Sequence, residues 1–262
     1  MKPAVLVHGH RGARAVYSEN TVAGFSYAIE AGADARELDV LVTRDGAVVV
    51  THDPHINPEI CTGPPAGVAV RDLTLAQLRE YDCGSLVNPR FPQQQRVPGA
   101  RIPTLTEVLA LGADNAVRFD IEIKSFPDRP ELTPPPEEFA GLVLDEIRSH
   151  RLESRVVVQS FDFRTLHAMH RLAPEIQLAA LWEGQARPFV EAARSAEACI
   201  ASPHFSLVTA EQVKAAHAAS LEVVPWTANT PEDWQMLIAC GVDGIITDDP
   251  AGLIAYLKSA QA

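Results

Sequence analysis

The chain has 262 residues, 47% of them hydrophobic and 21% charged, with a formal net charge of −12. That composition describes a globular protein with a substantial core, not a disordered or low-complexity chain. The acidic balance excludes a nucleic-acid binder, which needs a basic face, and no apolar run is long enough to span a membrane.

Ala4–Val7, the first apolar run, is too short for a signal peptide and leads directly into polar residues, so a cytoplasmic protein is expected. It is also the first of eight strand candidates. The others are Arg36–Val42, Val117–Lys124, Arg155–Phe161, Ile176–Trp182, Cys199–Ser202, Glu222–Thr227 and Gly244–Thr247. Amphipathic stretches lie between them: Thr21–Ala31, Glu137–His150, Asp162–Leu172, Arg187–Ala196, Thr209–Ala219 and Pro231–Cys240. Strands alternating with helices over this length predict an α/β fold, a (β/α)8 TIM barrel spanning 1–262 as a single domain. A doubly wound sheet has no support, since no GxGxxG or GxxxxGK[ST] loop follows any strand. Helix starts agree with this segmentation. Asn20 or Ser18 can cap the first helix, Thr104 with Glu107 forms a capping box, and Thr209 with Gln212 and Thr230 before Pro231 mark two more.

Two segments interrupt the alternation. From about 53 to 102 the chain holds one helical pattern, Leu75–Tyr81, among many prolines and glycines, and is expected to form a cap-like insertion after the second strand. Phe126–Pro136, with five prolines, reads as a stiff rim loop. The four cysteines show no metal-binding spacing and are expected to be reduced, with Cys61 and Cys83 the pair that could bridge.

Polar islands follow the apolar runs: HRGA at 10–13, ENT at 19–21, ELD at 37–39, THD at 51–53 and EIK at 122–124. On a strand, Glu37 and Asp39 share one face, as do Asp120, Glu122 and Lys124. Glu37, Asp39 and Glu122 together make an all-oxygen site suited to one hard divalent cation, Mg2+ or Ca2+, with Mn2+ a third candidate. Without a cation they would have to pair with Lys124 and Arg11. His10 and His52 can each carry a proton near neutrality, one as general base and the other as general acid. Asp45-Gly46 predicts a two-residue hairpin loop, which would set His52 directly opposite Asp39. Arg11 can face an anion and Lys124 adds a second fixed cation. His8 reads as a core or supporting residue. Trp226, at the end of the seventh strand candidate, suits barrel packing or an apolar wall for an alcohol equally well.

In order and spacing, V-x-G-HRGA (7–13), ENT (19–21), E-L-D-V-x-x-T-x-D-G-x-x-V-x-x-HD (37–53), E-I-K (122–124), Q-S-F-D (159–162), P-W-T-x-N (225–229) and D-G-I-I-T-D-D-P (243–250) resemble the glycerophosphodiester phosphodiesterases. The resemblance implies a barrel with a small insertion after the second strand. It implies His10 and His52 as the acid–base pair, and Glu37, Asp39 and Glu122 as ligands of one divalent cation. Arg11 and Lys124 would hold the phosphate, and Trp226 would line the glycerol side. The implied reaction is hydrolysis of a small glycerophosphodiester to glycerol 3-phosphate and an alcohol. Competing readings are a lipid-directed phosphodiesterase on the same barrel and a barrel that binds without turnover.

Overall fold

The structure is a computed structural model that describes residues 5–113 and 116–260. Its strands are β1 (Leu6–Gly9), β2 (Ala35–Val42), β3 (Val48–Val50), β4 (Arg118–Ile123), β5 (Val156–Ser160), β6 (Gln177–Trp182), β7 (Ile200–Pro203), β8 (Glu222–Val223) and β9 (Gly244–Thr247). The helices are α1 (Val22–Ala31), α2 (Leu75–Leu78), α3 (Leu105–Ala110), α4 (Pro136–Ser149), α5 (Phe163–Leu172), α6 (Phe189–Ser195), α7 (Ala210–Ala218), α8 (Pro231–Cys240) and α9 (Pro250–Ser259). Residue Ala4 of the first expected strand lies outside the described residues.

Eight strands pair in parallel in the order β8-β7-β6-β5-β4-β2-β1-β9, and β3 hangs antiparallel from β2. Three backbone bonds close the seam: Asp243 N–H to Val223 O at 3.0 Å, Ile246 N–H to Pro225 O at 3.0 Å, and Ala228 N–H to Ile246 O at 3.1 Å. The result is the expected parallel barrel wrapped by helices. β8 is short because Pro225 has no N–H to continue a regular ladder. The expected helix starts at Thr104, Thr209 and Thr230 all cap as read, Thr104 with its reciprocal Glu107 bond. At α1 the cap is Thr21, whose hydroxyl accepts from the Gly24 N–H, and neither Ser18 nor Asn20. The final helix α9 was not anticipated, although Asp249-Pro250 is a cap followed by proline at the first turn.

The apolar core lies mainly between strands and helices, where Phe25, Leu38, Phe119, Ile121, Phe139 and Leu166 are fully enclosed. Inside the barrel, the two halves differ. Val157, Ala179, Ile200, Val224 and Ile246, from β5 to β9, form a small apolar plug. The half built by β1, β2 and β4 instead points His8, His10, Glu37, Asp39, Asp120 and Glu122 inward, all buried. Charges in a barrel interior must be paired or ligated, so this half marks the functional side.

The β2–β3 hairpin departs from the expected register. Its pairs are Val40–Val50, Leu41–Val49 and Val42–Val48, so the loop has three residues, Arg44, Asp45 and Gly46. Thr43 explains the longer loop. Its hydroxyl donates to Asp45 Oδ1 at 2.7 Å and accepts from the Ala47 N–H at 3.0 Å, while Gly46 takes φ 85°. Thr51 therefore stands opposite Asp39, donating its N–H to Asp39 O at 3.0 Å, and His52 is the next residue along.

Between β3 and α3 the chain builds a cap with its own apolar cluster, in which Ile56, Val70, Leu78, Tyr81 and Ile102 pack on Leu41 and Val49 of the hairpin. Thr62 and Asp82 exchange both backbone hydrogen bonds, at 2.7 and 2.8 Å, and this brings Cys61 and Cys83 together as a disulfide. These two cysteines are thus bridged and not reduced, while Cys199 and Cys240 are free thiols. A bridge closing a 22-residue separation stabilises by about 3 kcal/mol on the chain-entropy argument. The double substitution Cys61→Ser, Cys83→Ser is expected to speed amide hydrogen exchange at Ile56, Val70 and Tyr81 while leaving β4 and β5 protected. Uniform acceleration over both regions would mean that the bridge supports the barrel and not the cap.

Candidate active site

β1 ends in a turn that two glycines make possible. A Cβ on Gly9 would lie 2.1 Å from Gly12 O, and one on Gly12 would lie 2.7 Å from Gly24 C of α1. Gly12 has φ 89° and Arg11 φ 49°, so the backbone folds back against α1 and aims His10 and Arg11 over the barrel mouth. The Arg11 backbone N–H donates to Glu37 Oε2 at 2.9 Å. Its guanidinium stands 3.2 Å from Asp39 Oδ2 and donates to Glu19 Oε1 at 2.5 Å. Glu19 is in turn held by Arg14 at 2.6 Å.

The parallel register of β2 and β4 sets Glu37 beside Asp120 and Asp39 beside Glu122. Oxygens of Glu37, Asp39 and Glu122 all come within 4.8 Å of one another, and all three side chains are buried. Lys124 Nζ is 2.7 Å from Glu122 Oε1 and 3.1 Å from Asp39 Oδ1. Gln159, at the end of β5, donates to Glu37 Oε1 at 3.1 Å, and Asn20 donates to Asp39 Oδ2 at 2.9 Å.

The three acids experience different fields. Burial and the neighbouring charges of Asp39 and Glu122 push Glu37 well above the ordinary carboxylate range. Burial opposes ionisation of Asp39 too, but Lys124 and Arg11 hold it well below its usual value. Burial raises Glu122, with Lys124 partly offsetting it. The cluster thus carries more negative charge than its two cations satisfy. Three converging hard oxygens with surplus charge are a donor set that fits a divalent cation.

Each histidine is held by a carboxylate. His10 Nδ1 lies 2.6 Å from Asp248 Oδ1, and His52 Nδ1 lies 2.7 Å from Asp53 Oδ1. Ionised carboxylates only accept, so both rings carry a proton on Nδ1, and each Nε2 is left to act. His10 Nε2 is 3.9 Å from Glu37 Oε2. Asp248 is itself clamped by Asn229, which donates Nδ2–H at 2.7 Å and accepts the Asp248 N–H at 2.9 Å. Asn57 donates its Nδ2–H to Asp53 Oδ2 at 2.8 Å. Burial holds His10 below its ordinary value of 6.5, with Asp248 acting against that shift. The hydrogen bond from His52 draws Asp53 down to about 2.

His10, Arg11, Glu37 and His52 line one cavity of about 270 Å³, together with Glu122, Lys124 and Trp226. Asp39, 1% exposed, sits just beneath. All eight residues singled out from the sequence therefore converge. His8 is buried against Asp120, below the acid cluster, and supports it from within the barrel. Reading the sequence alone missed Asp248 and Asp53 as partners of the histidines, Glu19 as the anchor of Arg11, and Asn20 as a partner of Asp39. The signal for Asp53 was the HD dipeptide; nothing local distinguished Asp248 from Asp249.

Such an arrangement can bind an anion, hold a cation beside it, and move protons from two sides. Comparison with known proteins agrees. Residues 10–252 match the Glycerophosphoryl diester phosphodiesterase family. The chain is 36% identical to a glycerophosphodiester phosphodiesterase of Caldanaerobacter subterraneus subsp. tengcongensis, over 97% of this chain and 98% of that protein. A solved structure from Silicibacter pomeroyi, provisionally named a glycerophosphoryl diester phosphodiesterase, superposes with a TM-score of 0.93 at 34% identity, covering 99% of this chain and 95% of that one. An Oleispira antarctica phosphodiesterase solved with sn-glycerol-3-phosphate shares the fold at TM-score 0.83 and 23% identity, over 97% of each chain. On the breadth of these matches, this chain belongs to the glycerophosphodiester phosphodiesterase family.

Proposed function

We propose that this protein hydrolyses small glycerophosphodiesters to glycerol 3-phosphate and an alcohol, with chain 1–262 acting as one catalytic unit capped by residues 53–102. The observation that carries this reading is the pair of carboxylate-held histidines, each with a free Nε2, above a buried cluster of three acids.

Arg11 and Lys124 hold the phosphoryl oxygens and offset the charge that grows in the transition state, where fixed charges in a sheltered site act most strongly. Glu37, Asp39 and Glu122 hold one divalent cation, Mg2+, Ca2+ or Mn2+, which when bound supplies Lewis-acid polarisation of the phosphoryl group. His10 is neutral at pH 7 because burial lowers its pKa, so its Nε2 accepts the proton of the attacking hydroxyl or water. His52, more open at the cap side, donates a proton to the departing alkoxide. Trp226, which lines the cavity, is assigned the glycerol side by the family resemblance.

No helix among the described residues is long and apolar enough to cross a membrane, which fits a small water-borne substrate. A cytoplasmic location is the reading proposed here, while the Cys61–Cys83 bridge favours an oxidising compartment. Thiol labelling of the protein taken from its source cells decides between them.

The test is release of glycerol 3-phosphate from glycerophosphocholine by chelated enzyme, with each cation added back separately. Product restored by a cation is the expected result. Folded protein that releases none with any cation, on any glycerophosphodiester, overturns the reading.

A further inference from the structure

His52 follows β3, outside the ring of eight parallel strands, so the barrel alone does not fix its ring. Its Nδ1 is held by Asp53 at 2.7 Å, and Asp53 stands at the start of the cap. How firmly His52 is aimed therefore depends on how firmly the cap holds Asp53. Asp53 Oδ2 takes its hydrogen bond from Asn57 Nδ2–H at 2.8 Å. Asn57 opens a tight turn, Asn57-Pro58-Glu59-Ile60, with asparagine and proline in the first two places, where turns favour them. Its Oδ1 accepts from the Glu59 N–H at 2.9 Å, and its carbonyl accepts from the N–H groups of Ile60 at 3.3 Å and Cys61 at 2.9 Å. With Oδ1 engaged inside the turn, the amide plane is set and Nδ2 is directed at Asp53.

The turn has little packing of its own, since Pro58 and Glu59 are exposed. Its far end is tied covalently, because Cys61 is bridged to Cys83. Cys83 belongs to a well-braced segment. Its N–H donates to Ala100 O at 2.8 Å, and the side chain of Asp82 beside it accepts from the N–H groups of Gly84 and Gly99 at 2.9 and 2.8 Å. Both cysteines line one small cavity of about 20 Å³ together with His52, Asp53 and Asn57. The covalent tie thus ends at the back of the histidine itself.

We propose that Asn57 and the Cys61–Cys83 bridge are positioning residues for His52. The bridge fixes the turn, the turn orients Asn57, Asn57 holds Asp53, and Asp53 holds the imidazole. This rests on the reading above of His52 as the proton donor of a diesterase. The bridge then serves the departure of the alcohol as well as the stability of the cap. The competing account is that backbone pairing holds Asp53 unaided, through the Ile56 N–H to Val68 O and the Gly67 N–H to Ile56 O, both at 2.9 Å.

Leaving groups separate the two accounts. An alkoxide such as that of choline needs a proton to depart, whereas a nitrophenolate does not, so a misaimed proton donor slows the first far more than the second. Steady-state kcat and KM are measured with glycerophosphocholine and with the p-nitrophenyl ester of glycerol 3-phosphate, each at saturating cation. The proteins are the wild type, His52→Ala, Asn57→Ala and the double variant Cys61→Ser, Cys83→Ser, with thermal melts to check folding. His52→Ala sets the signature of a lost donor, a fall in the choline-to-nitrophenyl ratio of kcat. Asn57→Ala and the double variant are expected to lower the same ratio by ~10- to 10²-fold, with KM for the choline diester little changed. Asn57→Ala keeps the bridge, so it decides the matter should the double variant fail to fold. An unchanged ratio, whether because both substrates suffer equally or because neither does, overturns the proposal while leaving the diesterase reading intact. A His52→Ala with an unchanged ratio overturns both the proposal and the donor role of His52, and a wild type that turns over neither substrate overturns the diesterase reading as well.

Discussion

Replacing His10 by alanine is expected to lower kcat for glycerophosphocholine by ~10²–10⁴-fold, the usual contribution of a positioned proton carrier. Asp248→Asn should approach the same loss although it leaves the imidazole in place. The carboxylate of Asp248 accepts the Nδ1 proton of His10 at 2.6 Å and so keeps Nε2 unprotonated and facing the cavity. An asparagine can present an N–H there instead. That reverses the tautomer and puts the proton on the nitrogen that has to receive one. The pH profile adds a readout that a purely structural role would not move. Burial holds His10 below 6.5, and Asp248 pulls it upward against that trend. Removing the carboxylate leaves burial unopposed, so the residual activity of Asp248→Asn should have its acid limb displaced to lower pH than in the wild type. A cation bound to the adjacent acids acts in the same direction. Full activity in His10→Ala, or an acid limb that stays where it was in Asp248→Asn, would remove His10 from the role of base.

A saturating divalent cation is expected to raise the thermal midpoint of the wild type and to have no effect on Glu37→Gln. At ~100 times its Kd, a cation bound only by the folded state stabilises it by about 2.7 kcal/mol. In a protein of this size that corresponds to ~5–10 °C. The two neighbouring acids should respond in opposite ways without a cation. The pKa of Glu37 is raised by burial and by two adjacent carboxylates, so its ionised form costs the chelated protein stability at pH values above its ordinary value of 4.5. Glutamine removes that cost, and chelated Glu37→Gln should melt no lower than chelated wild type. Asp39 has its pKa depressed by Lys124 and Arg11, so its charge contributes stability above 3.8 that is lost as pH falls. Asp39→Asn leaves two buried cations short of a partner and should cost about 3–5 kcal/mol. Calorimetry of the three proteins with and without chelator checks all of this. A cation-dependent rise that persists in Glu37→Gln would exclude Glu37 from the binding site.

The chemistry of this site was legible because it is written locally. Period-two alternation alone placed Glu37 with Asp39 and Glu122 with Lys124, and the barrel brought the two strands side by side. What escaped depends on contacts that no local pattern records. Asp248 meets His10 across 238 residues, and the neighbouring Asp249 has the same local sequence character but only caps α9. Asn20 resembled a helix cap, yet Thr21 took that role and freed the amide for Asp39. The Cys61–Cys83 pairing follows from a two-residue bridge between cap segments that share no hydrophobic periodicity. In the hairpin, Asp45-Gly46 read correctly as a turn, but the hydroxyl of Thr43 decided its length.

That turn has a consequence for how the enzyme can vary. His52 is carried on a side branch of β2, outside the ring of eight strands that positions the other candidate site residues. Its distance from the acids is therefore counted in whole residues from the bend at 44–46. Substitutions within the bend that keep its shape leave His52 where it is. Adding or removing one residue there shifts the pairing of the outgoing segment with β2 by one residue and displaces His52 from its place beside the acids. Among natural or engineered variants, composition of this bend should thus be free to drift while its length stays constant, and an insertion there should silence the site without disturbing the barrel.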